Sequence, residues 1–277
     1  MRAFVPSHIT GFFAAKRKDD PLRSGSIGCG VNLALGAVTS VEPTSDKTEI
    51  LLNGVPTDAP VSRHVVQALA KSPVKVSTQL QMPLGAGFGA SGAGALGCAY
   101  ALNAQFELGL TSNQVGAVAH VAEVANVTGL GDVMAQNTGG LVMRLMPGGP
   151  GVGLVDKIPV PPLRVEYAVR RPISTKEVLS DPGVMRSVNA SGEEALKELL
   201  RKPTLREFMI QSRRFTEQTG LASDWVQDAI EAVEAAGGMA SMIMLGDSVF
   251  AIGAEGALAE FAGAGYTYIS QRGANLD

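Results

Sequence analysis

Residues 83–97 read PLGAGFGASGAGALG, with six glycines in fifteen residues, and the chain then continues with CAYA as a helix would. Glycine permits positive φ angles and lets a ligand approach backbone N–H groups that side chains would otherwise cover. Where such a loop leads into a helix, the free N–H groups and the dipole of the first turn attract anions. The stretch therefore predicts a strand, a loop and a helix arranged as a phosphate site.

The kind of phosphate site depends on what surrounds the glycines. Residues 92–97, GAGALG, match the dinucleotide pattern G-x-G-x-x-G. That pattern belongs directly after a strand, with an acidic residue at the end of a second strand about 20 positions on. Glu107 is at a tolerable distance from the glycines, yet residues 103–110 contain no predicted strand, which argues against a dinucleotide site. No Gly-Lys-Ser/Thr follows, which excludes a Walker loop. Close helix packing, without any ligand, stays open as the structural alternative.

The composition is that of a soluble globular protein. The chain has 277 residues, of which 45% are hydrophobic and 18% charged, and a net charge of −3. A net negative charge argues against a nucleic-acid partner. Two cysteines, Cys29 and Cys98, make neither a disulfide framework nor a metal site, and residues 1–13 lack the apolar core of a signal peptide. We expect a cytoplasmic protein.

A charge-free segment, residues 76–106, is long enough to be mistaken for a membrane span. It consists mostly of Gly, Ala, Ser and Gln and contains Pro83, whereas spanning helices draw on Leu, Ile, Val and Phe. We therefore predict a buried helix in a globular protein, and no membrane partner.

The order of helix and strand patterns predicts an α+β fold. The strongest helix signal is the capping box Thr111-Ser-Asn-Gln114 ahead of an apolar stripe. Predicted strands cover residues 2–5, 28–41, 49–52, 74–80, 141–146, 164–169, 239–245, 249–252 and 266–270. Predicted helices cover residues 59–71, the segments after the glycines and after Thr111, segments that begin near Ser191, Thr204 and Asp224, and residues 257–261.

Two turn signals divide the second half of the chain. Gly246-Asp247 predicts the turn of a hairpin between the strands over 239–245 and 249–252. Residues 147–153, PGGPGVG, are the best candidate for a domain boundary or a long turn. As a boundary, they would separate domains 1–150 and 151–277.

The glycine stretch resembles the central motif of the GHMP kinases, P-x-x-x-G-L-G-S-S-A-A. Phe88 takes the usual Leu position and Ala90 the first Ser, which leaves Ser91 as the hydroxyl. Residues 4–13, FVPSHITGFF, are similar to the N-terminal substrate motif, and residues 237–246 stand where the third motif lies. The resemblance implies a two-lobed GHMP kinase fold with an N-terminal ATP-binding domain and a C-terminal domain.

Within the superfamily, the sequence most resembles the archaeal pantoate kinases. The likeness lies in residues 8–13 (HITGFF), 25–30 (GSIGCG) and 128–133 (TGLGDV). It implies ATP-dependent phosphorylation of the hydroxyl of pantoate to 4-phosphopantoate, in coenzyme A biosynthesis, and allows a homodimer. Two alternatives remain: a kinase of another small hydroxy acid or alcohol, such as homoserine, shikimate or mevalonate, and a GHMP-fold binding protein without catalysis.

Phosphoryl transfer needs a phosphate cradle, Mg²⁺ and a group that positions or deprotonates the acceptor hydroxyl. Ser91, in the first turn of its helix, and Glu123, on the next helix, are the expected oxygen ligands of Mg²⁺. Asp132 follows on a tight loop and is the expected catalytic base. The resemblance gives these three the same roles. The cradle is expected to comprise Pro83, Gly85, Gly87, Gly89, Ala90, Ser91, Gly92 and Ala93. The structural alternatives are a solvated Glu123 and an N-capping Asp132.

The carboxylate of the expected substrate requires cations or hydrogen-bond donors. Arg144 is the only charge in the apolar strand over 141–146, so it lies either at a solvent edge or against an anion. His120, one turn before Glu123, is a second candidate. The family pattern adds Ser26, with Ser24 as its rival. His8 is expected to be a structural histidine that lines the site.

Overall fold

The structure, a computed structural model, describes residues 1–172, 182–244 and 246–277. It has an α+β fold, as predicted. In chain order the elements are β1 (Arg2–Lys16), β2 (Gly25–Pro43), β3 (Glu49–Leu52), β4 (Val55–Pro56), α1 (Pro60–Leu69), β5 (Val74–Leu80), α2 (Ala90–Gln105), α3 (Ser112–Ala125), α4 (Asp132–Thr138), β6 (Leu141–Met146), β7 (Leu154–Ile158), β8 (Arg164–Pro172), α5 (Pro182–Arg201), α6 (Leu205–Thr219), α7 (Asp224–Ala235), β9 (Met239–Met242), β10 (Gly246–Ile252), β11 (Gly265–Tyr268) and β12 (Asn275–Leu276).

The first sheet is built around the long antiparallel pair β1 and β2. Its strands follow the order β12-β1-β2-β5-β3-β4, and β6 also pairs with β2 and carries β7 on its other side. Helix α2 packs on β1 and β2, and helices α5 and α6 also contact β1. The centre of β1 is therefore buried on all sides, and any polar side chain there needs a partner within the protein.

Glycines allow the helices to lie directly on these strands. A Cβ on Gly97 of α2 would stand 2.7 Å from the Thr39 hydroxyl of β2. A Cβ on Gly192 of α5 would collide with the Phe13 carbonyl of β1. The glycine content of α2 thus serves packing along the helix as well as the loop before it.

The second sheet has the antiparallel order β11-β8-β10-β9, and α6 and α7 pack against β9. It touches the first sheet at several points. Met244, which follows β9, donates its N–H to the Thr10 carbonyl of β1 at 3.3 Å. The Ser248 hydroxyl of β10 donates to the Ala86 carbonyl at 2.8 Å. The first bond joins this part of the chain to β1, and the second joins the second sheet to the glycine loop itself.

Several predicted elements are confirmed to the residue: the strands over 49–52, 74–80 and 141–146, and the capping box that starts α3. Strands β1 and β2 extend beyond the predicted residues 2–5 and 28–41. Bulges between Pro6 and Ser7 and between Thr10 and Phe12 shift the register of β1, and most of its residues are buried. The alternation of apolar and polar residues that identifies a half-buried strand is therefore missing.

Other expectations about the second half are wrong in detail. Ser191 lies inside α5, because that helix already covers Pro182–Arg201. The other two helices begin where predicted: α6 follows its cap Thr204, and α7 starts at Asp224 after its cap Ser223. Residues 257–261 form successive turns with bonds between residues three apart, and no helix.

The predicted hairpin forms with its turn shifted. Gly246 and Asp247 belong to β10, where they pair with Pro172 and Arg171 of β8. The turn therefore begins at Ile243, since the Gly246 N–H donates to the Ile243 carbonyl at 3.1 Å. Leu245, the last residue of the predicted strand, lies outside the described residues.

Residues 147–153 are the turn between β6 and β7, which pair with each other in the first sheet. The first sheet thus continues to Ile158, beyond residue 150. The division into domains 1–150 and 151–277 stays a prediction. Across the described residues, no helix is both long and apolar enough to cross a bilayer.

Candidate active site

The glycine loop between β5 and α2 forms one wall of a cavity. Gly85, Gly87 and Gly89 have φ angles of 69°, 84° and 64°, and Gly89 is the N-cap of α2. A Cβ on Gly87 would stand 2.6 Å from the Met244 carbonyl. Glycine is needed there both for its backbone conformation and for the close approach of the second sheet.

The cavity has a volume of about 330 Å³ and is lined by most of the predicted cradle: Gly85, Gly87, Gly89, Ala90, Ser91 and Gly92. The N–H groups of the first turn of α2 have no partner within that helix, so they are available to an anion. Pro83 and Ala93 are not among the lining residues, and Ala93 is buried in the core. The structure thus brings six of the eight predicted cradle residues to the cavity.

Glu123 of α3 lies in the cavity wall beside Ser91. The Ser91 hydroxyl donates to Glu123 Oε1 at 2.6 Å, and the Thr128 hydroxyl donates to the same atom at 2.8 Å. The Glu123 residue is 2% exposed, so it is not the solvated helix residue of the structural alternative. Burial raises the pKa of Glu123 to about 7, against the opposing effect of the two hydroxyl donors.

Asp132 is the first residue of α4 and lies against the start of α2, since a Cβ on Gly89 would stand 3.2 Å from its carboxyl carbon. The N-cap of this helix is Gly131, so an N-capping role of Asp132 is wrong. Asp132 Oδ1 lies 2.7 Å from Nδ1 of His8, and its side chain is 27% exposed. The described residues give Oδ2 no hydrogen-bond partner. This carboxylate is therefore oriented by the protein and still accessible from the cavity.

Arg144 is buried in the interior of the first sheet, because its strand β6 pairs with β2 on one side and β7 on the other. It is 2% exposed and lines the cavity, so the solvent-edge alternative is wrong. Its Nη1 lies 3.5 Å from His8 Nε2, and its Nε has no hydrogen-bond partner. Burial lowers the pKa of the guanidinium, and Asp132 opposes that shift. A buried cation with an unpaired donor is suited to hold an anion.

The two candidate serines have different surroundings. Ser26 lines the cavity, and a Cβ on Gly131 would collide with its hydroxyl. The Ser24 hydroxyl instead bonds both the N–H and the carbonyl of Lys18, which closes the loop between β1 and β2. The structure therefore favours Ser26 as the residue that can reach a ligand.

His120 is buried but does not reach the cavity lining. Its Nε2 lies 2.8 Å from the Ser24 carbonyl, and burial lowers its pKa. Because a carbonyl only accepts, Nε2 carries the proton. The geometry supports a structural role for His120, which holds the backbone at Ser24, two residues before Ser26, and does not support direct contact with a substrate.

Several residues that line the cavity or support it were not among the predicted site residues. Thr128 supports Glu123 through its hydroxyl, and the preceding Val127 has a φ of 57°, which is unusual for a β-branched residue. Thr10 and Met244 also line the cavity. An apolar end completes it, formed by Ile50, Leu51, Leu52, Val61, Leu80 and Leu84.

The cavity does not contain a metal site made by protein ligands alone. Among the described residues, no group of three or more His, Cys, Asp or Glu side chains could hold a metal ion. One hydroxyl and one carboxylate, Ser91 and Glu123, meet near the first turn of α2. Such a pair fits Mg²⁺, which is usually held by one or two protein oxygens together with phosphates and water.

Comparison with known proteins identifies the family. Residues 60–140 match the GHMP kinases N terminal domain. The pantoate kinase of Thermococcus kodakarensis is 38% identical over 264 residues, which cover 91% of this chain and 87% of that protein. The chain belongs to the GHMP kinase family. The pantoate kinase of Methanospirillum hungatei, another relative of this GHMP kinase, is 33% identical over 260 residues, or 91% of this chain and 86% of the relative.

A solved structure supports the same assignment of this GHMP kinase. A phosphotransferase described as related to the CoA biosynthesis pathway is 31% identical, with a TM-score of 0.89 and coverage of 100% of this chain and 98% of the other. Family membership confirms the predicted fold and the predicted activity class, an ATP-dependent kinase.

Proposed function

We propose that this kinase transfers the γ-phosphoryl group of ATP to the hydroxyl of pantoate, giving 4-phosphopantoate. The observation that carries the proposal is the pairing of Asp132 and Arg144 in one cavity. A carboxylate with an accessible oxygen lies beside a buried cation with an unpaired donor. A substrate with both a hydroxyl and a carboxylate fits these two groups, and two relatives more than 30% identical are named pantoate kinase.

ATP would lie with its phosphates at the glycine loop and its base toward the apolar end of the cavity. The loop and the first turn of α2 supply backbone N–H groups and the positive end of the helix dipole. Ile50, Leu52 and Val61 supply apolar contacts for a flat, uncharged base. This orientation directs the γ-phosphate toward Asp132.

Ser91 and Glu123 would hold Mg²⁺ at the phosphates. When bound, the ion supplies positive charge that offsets the negative charge of the transferring group. The raised pKa of Glu123 fits this assignment, because a buried carboxylate with no cationic partner is stabilised by a cation that arrives with the nucleotide.

Asp132 would act as the catalytic base. Its Oδ1 is held by His8, which leaves Oδ2 to accept the proton of the substrate hydroxyl as that oxygen attacks phosphorus. Asp132 does not cap α4, because the N-cap of that helix is Gly131. Its carboxylate oxygens are therefore not held by the backbone N–H groups of the helix.

Arg144 and Ser26 would bind the carboxylate of the substrate. The guanidinium offers the paired donors that match a carboxylate, and burial strengthens a charge-assisted hydrogen bond. Ser26 lies next to the same loop residue, Gly131, as Arg144. A GHMP-fold binding protein without catalysis would not need the combination of Ser91, Glu123 and Asp132 around one cavity.

The test is ADP release with Mg²⁺ and ATP against D-pantoate, homoserine, shikimate, mevalonate and glycerate. Release that depends on D-pantoate alone is expected. Turnover only with another compound would keep the kinase and reject the substrate. No turnover, together with measurable ATP binding, would favour the binding protein. A cytoplasmic location and a homodimer stay predictions.

A further inference from the structure

His8 lies between the two charged groups of the cavity. It belongs to β1, its side chain is fully buried, and its Nδ1 lies 2.7 Å from Asp132 Oδ1. On the other side of the ring, Nε2 lies 3.5 Å from Arg144 Nη1. The first distance is that of a strong hydrogen bond, and the second is a long polar contact. The ring thus faces both groups and binds Asp132 more closely.

The chemistry of the two neighbours fixes the proton on this ring. Burial lowers the pKa of His8, although Asp132 opposes the shift, so the imidazole is neutral and has one donor and one acceptor. The Asp132 carboxylate only accepts, which assigns the proton to Nδ1. Nε2 is then the acceptor and faces the guanidinium of Arg144, which only donates.

The position of the ring is set by the backbone around it. A Cβ on Gly30 of β2 would collide with His8 Nε2, so the ring lies against that glycine. The backbone N–H of His8 donates to the Phe88 carbonyl of the glycine loop at 3.1 Å. One residue therefore joins the phosphate loop, the helix of the base and the buried arginine.

We propose that His8 is a positioning residue for phosphoryl transfer, which fixes the orientation of Asp132 through Nδ1–H. This inference rests on the proposed function, in which Asp132 is the base. With Oδ1 held, the carboxylate cannot rotate freely, and Oδ2 stays directed at the acceptor hydroxyl. The contact of Nε2 with Arg144 keeps the ring in the tautomer that this requires.

The test compares two amide replacements of His8. An Asn amide places its N–H near the Nδ1 position and retains the donor to Asp132, whereas a Gln amide reaches the Nε2 position and does not. We expect His8→Asn to keep a kcat about 10- to 100-fold above that of His8→Gln, as for loss of a hydrogen bond to a charged group. The KM for ATP should change little in both.

The matched control is His64→Asn on α1, a histidine that does not line the cavity. Its kcat should equal that of the unmodified protein. Equal kcat values for the two His8 variants, or a His8→Gln enzyme as active as the unmodified protein, would overturn the inference. An unmodified protein that releases no ADP with D-pantoate would instead refute the proposed function.

A second measurement does not depend on the folding of any His8 variant. The chain has three histidines, so ¹⁵N NMR of histidine-labelled protein gives three ring systems, of which His64→Asn removes one. At pH 7.5 we expect a neutral His8 protonated on Nδ1 and a neutral His120 protonated on Nε2. Protonation of His8 on Nε2 would overturn the inference, whatever the kinetics.

Discussion

The two carboxylates of the cavity have opposite surroundings. Glu123 is almost completely buried and bonded only to neutral hydroxyls, and its pKa is raised to about 7. Asp132 is 27% exposed, and it lies against His8 and in the field of Arg144. A buried carboxylate without a cation is suited to bind one, whereas a carboxylate with fixed neighbours and an accessible oxygen is suited to move a proton. The contrast supports the proposal that Glu123 is a metal ligand and Asp132 the base, although both lie close to the start of α2.

The largest effect is expected at the base. Asp132→Asn keeps an oxygen that accepts the His8 hydrogen bond but removes the ability to take up a proton, so kcat should fall about 1,000-fold. Steady-state kinetics with D-pantoate measure it. Asp228→Asn on the exposed side of α7 is the control. Near-normal turnover of Asp132→Asn would show that Asp132 is not the catalytic base.

The buried carboxylate should make stability depend on pH. Because the folded-state pKa of Glu123 is about 7 against an ordinary value of 4.5, its contribution to stability is present below pH 4.5 and is lost as pH rises through about 7. At pH 8 without metal, Glu123→Gln should therefore be more stable than the unmodified protein by about 3 kcal/mol at most.

Chemical unfolding in EDTA at pH 5 and at pH 8 measures this difference, which should fall below about 1 kcal/mol at pH 5. Glu231→Gln on exposed α7 is the matched control and should show no such change. If the two Glu→Gln variants behave alike at both pH values, Glu123 is not a buried carboxylate that needs a cation.

Arg144→Lys tests the substrate side of the comparison. Lysine keeps the charge but loses the planar pair of donors, so the KM for D-pantoate should rise about tenfold while the KM for ATP stays constant. Arg206→Lys, at an exposed position of α6, is the control. A rise in the KM for ATP instead would indicate that Arg144 contacts the phosphates of ATP and not the carboxylate of the substrate.

The smallest effect is expected at the serines. Ser26→Ala removes one neutral donor in the cavity and should raise the KM for D-pantoate about fivefold. Ser24→Ala removes two bonds to Lys18 outside the cavity and should lower the melting temperature more than it changes this KM. The reverse pattern would exchange the roles of the two serines.

Local sequence signals predicted the elements that carry the site. The capping box at Thr111 predicted the start of α3, which carries Glu123, and the glycines before Ala90 predicted the start of α2. These features depend on residues a few positions apart, and such interactions are visible in a sequence.

Contacts between distant residues could not be predicted in this way. His8 and Asp132 are 124 positions apart, and their contact depends on how β1 and α4 pack together, which no local pattern in the sequence shows. Ser24 and Ser26 are two positions apart, but only the second belongs to β2. The position of His120 one turn before Glu123 did not show that its ring faces a backbone carbonyl.

The contact of Gly87 with Met244 also has a thermodynamic consequence. Met244, which follows β9, lies against Gly87 in the loop that would bind the phosphates. Ser248 of β10 donates a hydrogen bond to Ala86 of the same loop. A nucleotide bound in this cavity would therefore stabilise both sheets. At 100 times its Kd, the nucleotide adds about 2.7 kcal/mol to the stability of every part that must open with the site. Heat should then unfold the two sheets in one cooperative transition.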